Sequence, residues 1–220
     1  MTVIKRIGHR LQIVLRRHEV EDPPASEPSA ASHPPGHETE FVAYSDDCLL
    51  SGRLRISTDR LTDMLNQHDE YLLVDVLLER LTDGGAVEVK EVLVARDELL
   101  LVHATGPRGS AARRHRTRLH PVAIQVGPYN IRGYLHSLPG TDPILHMRRR
   151  ETMVPLTDAW IEYQSGLVQQ RRRVGAVVVN REQIDWIVPA EDDQVEMPDL
   201  PLKTDQGPLL KDFTGALFDN

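Results

Sequence analysis

Asp75, in Leu73-Val74-Asp75-Val76, and Asp158, in Leu156-Thr157-Asp158-Ala159, are by type the residues of this chain best suited to paired acid–base work. Two carboxylates share such work only when both flank one reacting bond. These two hold matching places in a repeated pattern, which sets them apart in space, and bracing a turn is the expected role. Ten histidines and the single Cys48 complete the inventory of metal-ligand types. No histidine falls in a helical HExxH pattern or a paired Cys/His spacing. One cysteine forms neither an internal disulfide nor a cysteine-based zinc site. G-x-S-x-G, P-loop and dinucleotide-binding glycine patterns do not occur. The reading is a non-enzymatic chain, with no catalytic residue, no cofactor and no metal expected.

Arginine is the other residue with chemistry to offer. Arg113, Arg114, Arg116 and Arg118 lie in one run, Arg148, Arg149 and Arg150 in a second, and Arg171, Arg172 and Arg173 in a third. Converging on one surface, the three runs would bind a phosphate-rich ligand such as nucleic acid; kept apart, they are solvated loops. The net charge of −7 conceals a segregation along the chain. Lys plus Arg minus Asp plus Glu is +5 for residues 1–18, −6 for 19–40, −7 for 41–105, +7 for 106–190 and −6 for 191–220. Any anion-binding surface therefore belongs to the second half, and the halves themselves attract each other.

At the N-terminus Val3, Ile4, Ile7, Leu11, Val14 and Leu15 recur at three- and four-residue steps, with Arg10, Arg16 and Arg17 off that stripe. The spacing predicts a basic amphipathic helix over 3–17. Such a helix suits a protein groove, an anionic membrane surface or the chain's own core. The proline- and serine-rich stretch 19–40 that follows reads as a disordered tether. No run approaches the length of a membrane span, and the basic N-terminus lacks a continuous apolar core, so a cytoplasmic location is expected, with peripheral membrane contact through the helix.

The elements that must position these residues come as a repeat. At an offset of 81, Gly52 and Leu54 meet Gly133 and Leu135. At 83, Thr58, Asp59, Leu61 and Met64 meet Thr141, Asp142, Ile144 and Met147, and Leu73, Asp75 and Glu79 meet Leu156, Asp158 and Glu162. At 85, Val94, Arg96, Asp97, Leu99 and Val102 meet Val179, Arg181, Glu182, Ile184 and Ile187. Each copy reads as a hairpin, 41–56 and 122–138, turning at Ser45-Asp46-Asp47 and at Gly127-Pro128. A short helix follows, capped by Thr58 or Asp59 in one copy and by Asp142 ahead of Pro143 in the other. A strand through each aspartate comes next, and a closing hairpin then turns at 95–98 or 180–183. Five short strands and one small helix in about 65 residues suggest a closed barrel without free edges.

In the G-x-L step, the hydrophobic strand through Asp, and the closing runs Val94-Ala95-Arg96-Asp97-Glu98-Leu99 and Val179-Asn180-Arg181-Glu182-Gln183-Ile184, each repeat resembles the Sm-like family. The resemblance implies five strongly bent strands and assembly into rings that bind RNA. Its RNA-facing residues are matched only in part: Asp63, Leu65 and Asn66 approximate the first motif, and Asp97 and Glu182 stand where the second has glycine after arginine.

The expected architecture is mainly β: two tandem five-stranded Sm-like barrels, each with an inserted helix, plus the N-terminal amphipathic helix. Its parts are the helix at 1–18, a linker at 19–40, repeat 1 at 41–104, a basic linker at 105–120, repeat 2 at 121–190 and an acidic tail at 191–220. The expected function is assembly or scaffolding, with protein partners and homo-oligomers in view, and RNA binding by the basic second repeat as the alternative.

Overall fold

A computed structural model describes residues 2–6, 12–16, 37–58, 60–104 and 117–191. The tail from 192 and the arginines at 113, 114 and 116 lie outside them, as do Ile7, Arg10, Leu11 and Arg17. The chain is mainly β. Repeat 1 runs through β3 (His37–Tyr44), β4 (Cys48–Ile56), α1 (Leu61–Gln67), β5 (Glu70–Arg80), β6 (Ala86–Ala95) and β7 (Leu101–His103), after an N-terminal pair, β1 (Thr2–Arg6) and β2 (Gln12–Arg16). Repeat 2 runs through β8 (Arg118–Val126), β9 (Tyr129–Ser137), α2 (Pro143–Arg148), β10 (Met153–Ser165), β11 (Val168–Asn180) and β12 (Ile184–Pro189). Among the described residues no helix is long and apolar enough to cross a membrane.

The N-terminal helix is not what forms on the described part of 3–17. Thr2–Arg6 and Gln12–Arg16 pair antiparallel, Ile4 opposite Val14. Val3, Ile4, Ile13 and Val14 are β-branched and favour extended backbone, so a stripe that fits helical spacing also serves a hairpin. β2 passes beside β6 without joining its ladder.

β3 to β12 form one ten-stranded antiparallel sheet in the order β12-β8-β9-β10-β11-β7-β3-β4-β5-β6. The two repeats share this one sheet, which does not close on itself. Numbered within each repeat, the order is 5-1-2-3-4 twice over, and the halves meet where strand 5 of repeat 1 pairs with strand 4 of repeat 2.

The first hairpins form as expected. The closing ones do not. β6 pairs with β5, whereas β7 pairs with β3 and β11. The 3₁₀ turns Arg96–Glu98 and Arg181–Gln183 are corners that swing the chain across to the far side of its own repeat. Leu61, Met64 and Leu65 of α1 are buried together as their spacing requires. The residue preceding that helix as its cap is Arg60, without a side-chain cap bond, and Asp59 lies outside the described residues. In α2 Asp142 does cap, accepting from the Leu145 amide, with Pro143 in the first turn.

There are two core clusters, each drawing on both the first and last strands of its repeat, so each half bends around its own interior. The bend has a local cause. Asp75 and Asp158 are the only described non-glycine residues with positive φ, at 50° and 48°. The ladder register shifts beside each of them. Directly across lie the G-x-L glycines: a Cβ on Gly52 would sit 3.0 Å from the Val74 carbonyl oxygen, and one on Gly133 3.0 Å from the Ala159 Cβ. A left-handed residue on one strand and a glycine on its neighbour make a bulge that re-aims the strand.

Candidate binding surfaces at the repeat junction and the sheet ends

The aspartates are bend residues rather than an acid pair. Four strands of the sheet lie between β5 and β10, Asp75 is exposed and ion-paired with Arg53, and Arg53 also binds Glu38 at 2.8 Å. No cluster of three metal-ligand side chains forms among the described residues. Cys48 is buried, its thiol pushed up to about 12 by desolvation, and it contacts the Ser45 hydroxyl at 3.2 Å. Such a thiol is inert.

The densest polar construction is the junction between repeats. Val177, Val178 and Val179 of β11 face His103, Val102 and Leu101 of β7. At one end Asn66 in α1 donates to the Met153 carbonyl at 3.0 Å and accepts from its amide at 2.9 Å, satisfying both groups of a backbone that enters from the other repeat. Asn180, almost wholly buried, donates to the Leu99 carbonyl at 3.1 Å while its own amide donates to the Leu100 carbonyl at 2.9 Å. At the other end the Tyr129 hydroxyl donates to the Ser45 carbonyl at 2.7 Å and the Ser165 hydroxyl to Glu79 at 3.1 Å. Side chains follow the hydrogen bonds across. Met153 and Val178 belong to the core of repeat 1, and Tyr44, Leu49, Leu81, Leu100 and Leu101 to that of repeat 2.

Tyr44, Tyr129 and Tyr163 pack edge-on and tilted at 5.2 to 5.7 Å between ring centres, within the attractive range for aromatic pairs. The Tyr44 hydroxyl meets His103 Nε2 at 2.8 Å. Burial, aided by the Arg172 charge, holds that imidazole down to about 4, so it is neutral at pH 7. Burial raises the Tyr44, Tyr129 and Tyr163 hydroxyls, Tyr44 and Tyr163 being partly relieved by Arg172.

Among the described residues the arginines of the three runs differ in place and partner. Arg171 to Arg173 lie within β11, not in a loop. Arg171 pairs with Glu162 at 3.1 Å and stacks 4.5 Å from the Trp160 ring centre, Arg173 lies 5.7 Å from the same ring, and Arg172 faces Tyr163 on the other side. Arg150 donates to the His136 carbonyl. Arg118, Arg148, Arg149 and Arg173 are exposed.

An open groove of about 330 Å³ lies between α2 and β12, with Ile144, Met147, Arg148, Ile184, Trp186 and Ile187 in its wall. Trp186 is 46% exposed there. The sequence did not mark this groove, nor the bonds that Tyr44, Asn66, Tyr129 and Asn180 make to partners some sixty to ninety residues away. Val3, Ile4, Val14, Leu15 and Arg16 fall in β1 and β2.

Comparison with protein-family models, with curated proteins and with solved structures finds no match to this chain.

Proposed function

We propose that the chain is a cytoplasmic, non-enzymatic binding and assembly module: two Sm-like barrel repeats attached to a larger complex through the N-terminal segment 1–18. The observation that carries this reading is the junction itself. One repeat binds the other there through strand pairing, reciprocal side-chain insertion and amide-for-backbone bonds. A unit built to hold a like unit by its edge is suited to assembly. The barrel reading draws support from the 5-1-2-3-4 order of each half and from a core shared by its first and last strands.

Affinity capture from native cells tests the attachment. The full chain should retain a partner set that a chain lacking 1–18 loses; an unchanged set contradicts it, and retention on anionic vesicles alone would put a membrane surface in place of the complex.

RNA binding by repeat 2 is the second reading, favoured by the +7 charge of residues 106–190, the basic linker included, and by the exposed Arg118, Arg148, Arg149 and Arg173. It requires an affinity that falls steeply with salt and with neutralisation of Arg171 to Arg173. Indifference to both excludes it.

A further inference from the structure

The groove beside β12 has an internal counterpart that is filled. Met147, Arg148, Ile184, Trp186 and Ile187 of repeat 2 correspond to Met64, Leu65, Leu99, Leu101 and Val102 of repeat 1. The repeat 1 set is buried, no member more than 8% exposed, in a half whose α1 and β7 are covered by β10 and β11. In repeat 2, by contrast, β12 is the last strand on its side of the sheet, and Trp186 and Val188 are each 46% exposed.

One substitution marks the chemistry of what would fill the groove. Met153 of β10 joins the cluster that holds Leu65 in repeat 1. In place of that leucine repeat 2 carries Arg148, exposed and in no ion pair among the described residues, with exposed Arg149 beside it. The matching occupant combines large apolar side chains with carboxylates. The chain carries such a segment. Past β12, residues 191–220 hold eight acids and two lysines, a net −6. Within them Leu209, Leu210, Phe213, Leu217 and Phe218 recur at three- and four-residue steps, with Asp205, Asp212 and Asp219 among and around them. Solvated acidic tails are poor in aromatic residues, yet this one holds two of the chain's three phenylalanines. Apolar residues on one such stripe suit entry into a groove.

We propose that the occupant of the groove between α2 and β12 is the chain's own C-terminal segment 205–219, its phenylalanines and leucines against Ile144, Met147 and Trp186 and its aspartates toward Arg148 and Arg149. Reach favours it. The strand that walls the groove ends at Pro189, and the described chain at Glu191. A linker the length of residues 192–208 has a root-mean-square reach of roughly 20–25 Å, about the length of β12, so the segment can double back along that strand. Such a tether gives an effective concentration of roughly a millimolar, at which an interaction of only millimolar strength is half occupied. A second copy of the chain lacks that advantage, and β6, at the opposite end of the sheet, has β2 lying beside it. Docking of the segment completes repeat 2 as β10 and β11 complete repeat 1. It depends neither on the N-terminal attachment nor on RNA.

Paramagnetic relaxation in the full chain tests the inference. A nitroxide is attached through Asn220→Cys, two residues past Phe218; Cys48 is buried and does not compete for it. The Trp186 indole and Met147 methyl signals should lose roughly half their intensity or more, while the Met64 methyl, the counterpart in repeat 1, keeps its own. The same label on a Phe213→Ser/Leu217→Ser chain measures what tethering alone does, and there the loss should shrink by about twofold or more. Arg148→Glu should shrink it as well. These changes leave the core untouched, which unshifted Met64 and Val178 methyl signals verify. Equal broadening in the parent and serine chains, no preference for Trp186 and Met147 over Met64, or indifference to Arg148→Glu would overturn the proposal. So would broadening that persists in full when isotope-labelled chains without nitroxide are mixed with unlabelled chains that carry it, a result that gives the groove to a second copy.

Discussion

Asp75 and Asp158 show how one residue type carries different meanings. Their repetition was visible in the sequence, as was the likeness of Gly52 to Gly133; that each aspartate takes positive φ opposite each glycine was not, because facing positions on neighbouring strands lie some 25 residues apart. The bend makes Gly133→Val a severe change. Its branched side chain would meet the Ala159 Cβ and the Thr157 carbonyl, and a cost of about 1–3 kcal/mol in denaturant unfolding is expected. Asp158→Gly, which suits positive φ, should cost far less. His103 has a different signature. Burial lowers its folded pKa from 6.5 to about 4, so on acidification the unfolded chain takes up this proton first. Stability should be full above pH 6.5, decline between 6.5 and 4, and level off below, with a loss of up to roughly 3 kcal/mol. Melting temperatures across that range should show the decline, and His103→Gln should flatten it.

At the scale of elements, alternation and turn residues located the first hairpins, and the Leu61, Met64, Leu65 spacing located α1. The Asp142-Pro143 pair was legible in full, since a cap and a first-turn proline act within one turn of helix. The closing strands misled for a physical reason. Two valine-rich runs separated by a polar turn look the same whether they pair with each other or part at a corner, and the difference lies in β3 and β11, far away in sequence. The N-terminal stretch misled because β-branched residues fit either period. Asn66 is the element-scale residue whose bond to the other repeat the sequence did not disclose, and truncating it should show its weight. Asn66→Ala strips the partly buried Met153 amide and carbonyl of their shared partner, and a loss of about 1–3 kcal/mol is expected on urea unfolding. A loss below about 0.5 kcal/mol would mean that α1 does not hold β10.

For the whole molecule, the repeat itself was the most informative reading, and it survives in a form the sequence did not disclose. Two like halves are present, but they share a sheet and lend each other core residues. Met153 and Val178 are needed by repeat 1, and Leu100 and Leu101 by repeat 2, so neither half keeps a complete interior alone. One cooperative unfolding transition is expected, coincident by far-ultraviolet circular dichroism and by tryptophan fluorescence from Trp160 and Trp186 in repeat 2; two separated transitions would mean independent domains.

The junction between the repeats is the feature on which the rest depends, and methyl-resolved NMR addresses it most directly. With labelled methionine, leucine and valine methyls, the Met153 methyl should show contacts to the interior of repeat 1, the cluster of Leu61, Leu65 and Val102, although its own strand belongs to repeat 2. Contacts confined to the repeat 2 cluster of Leu135, Leu156 and Val179 would contradict the shared junction.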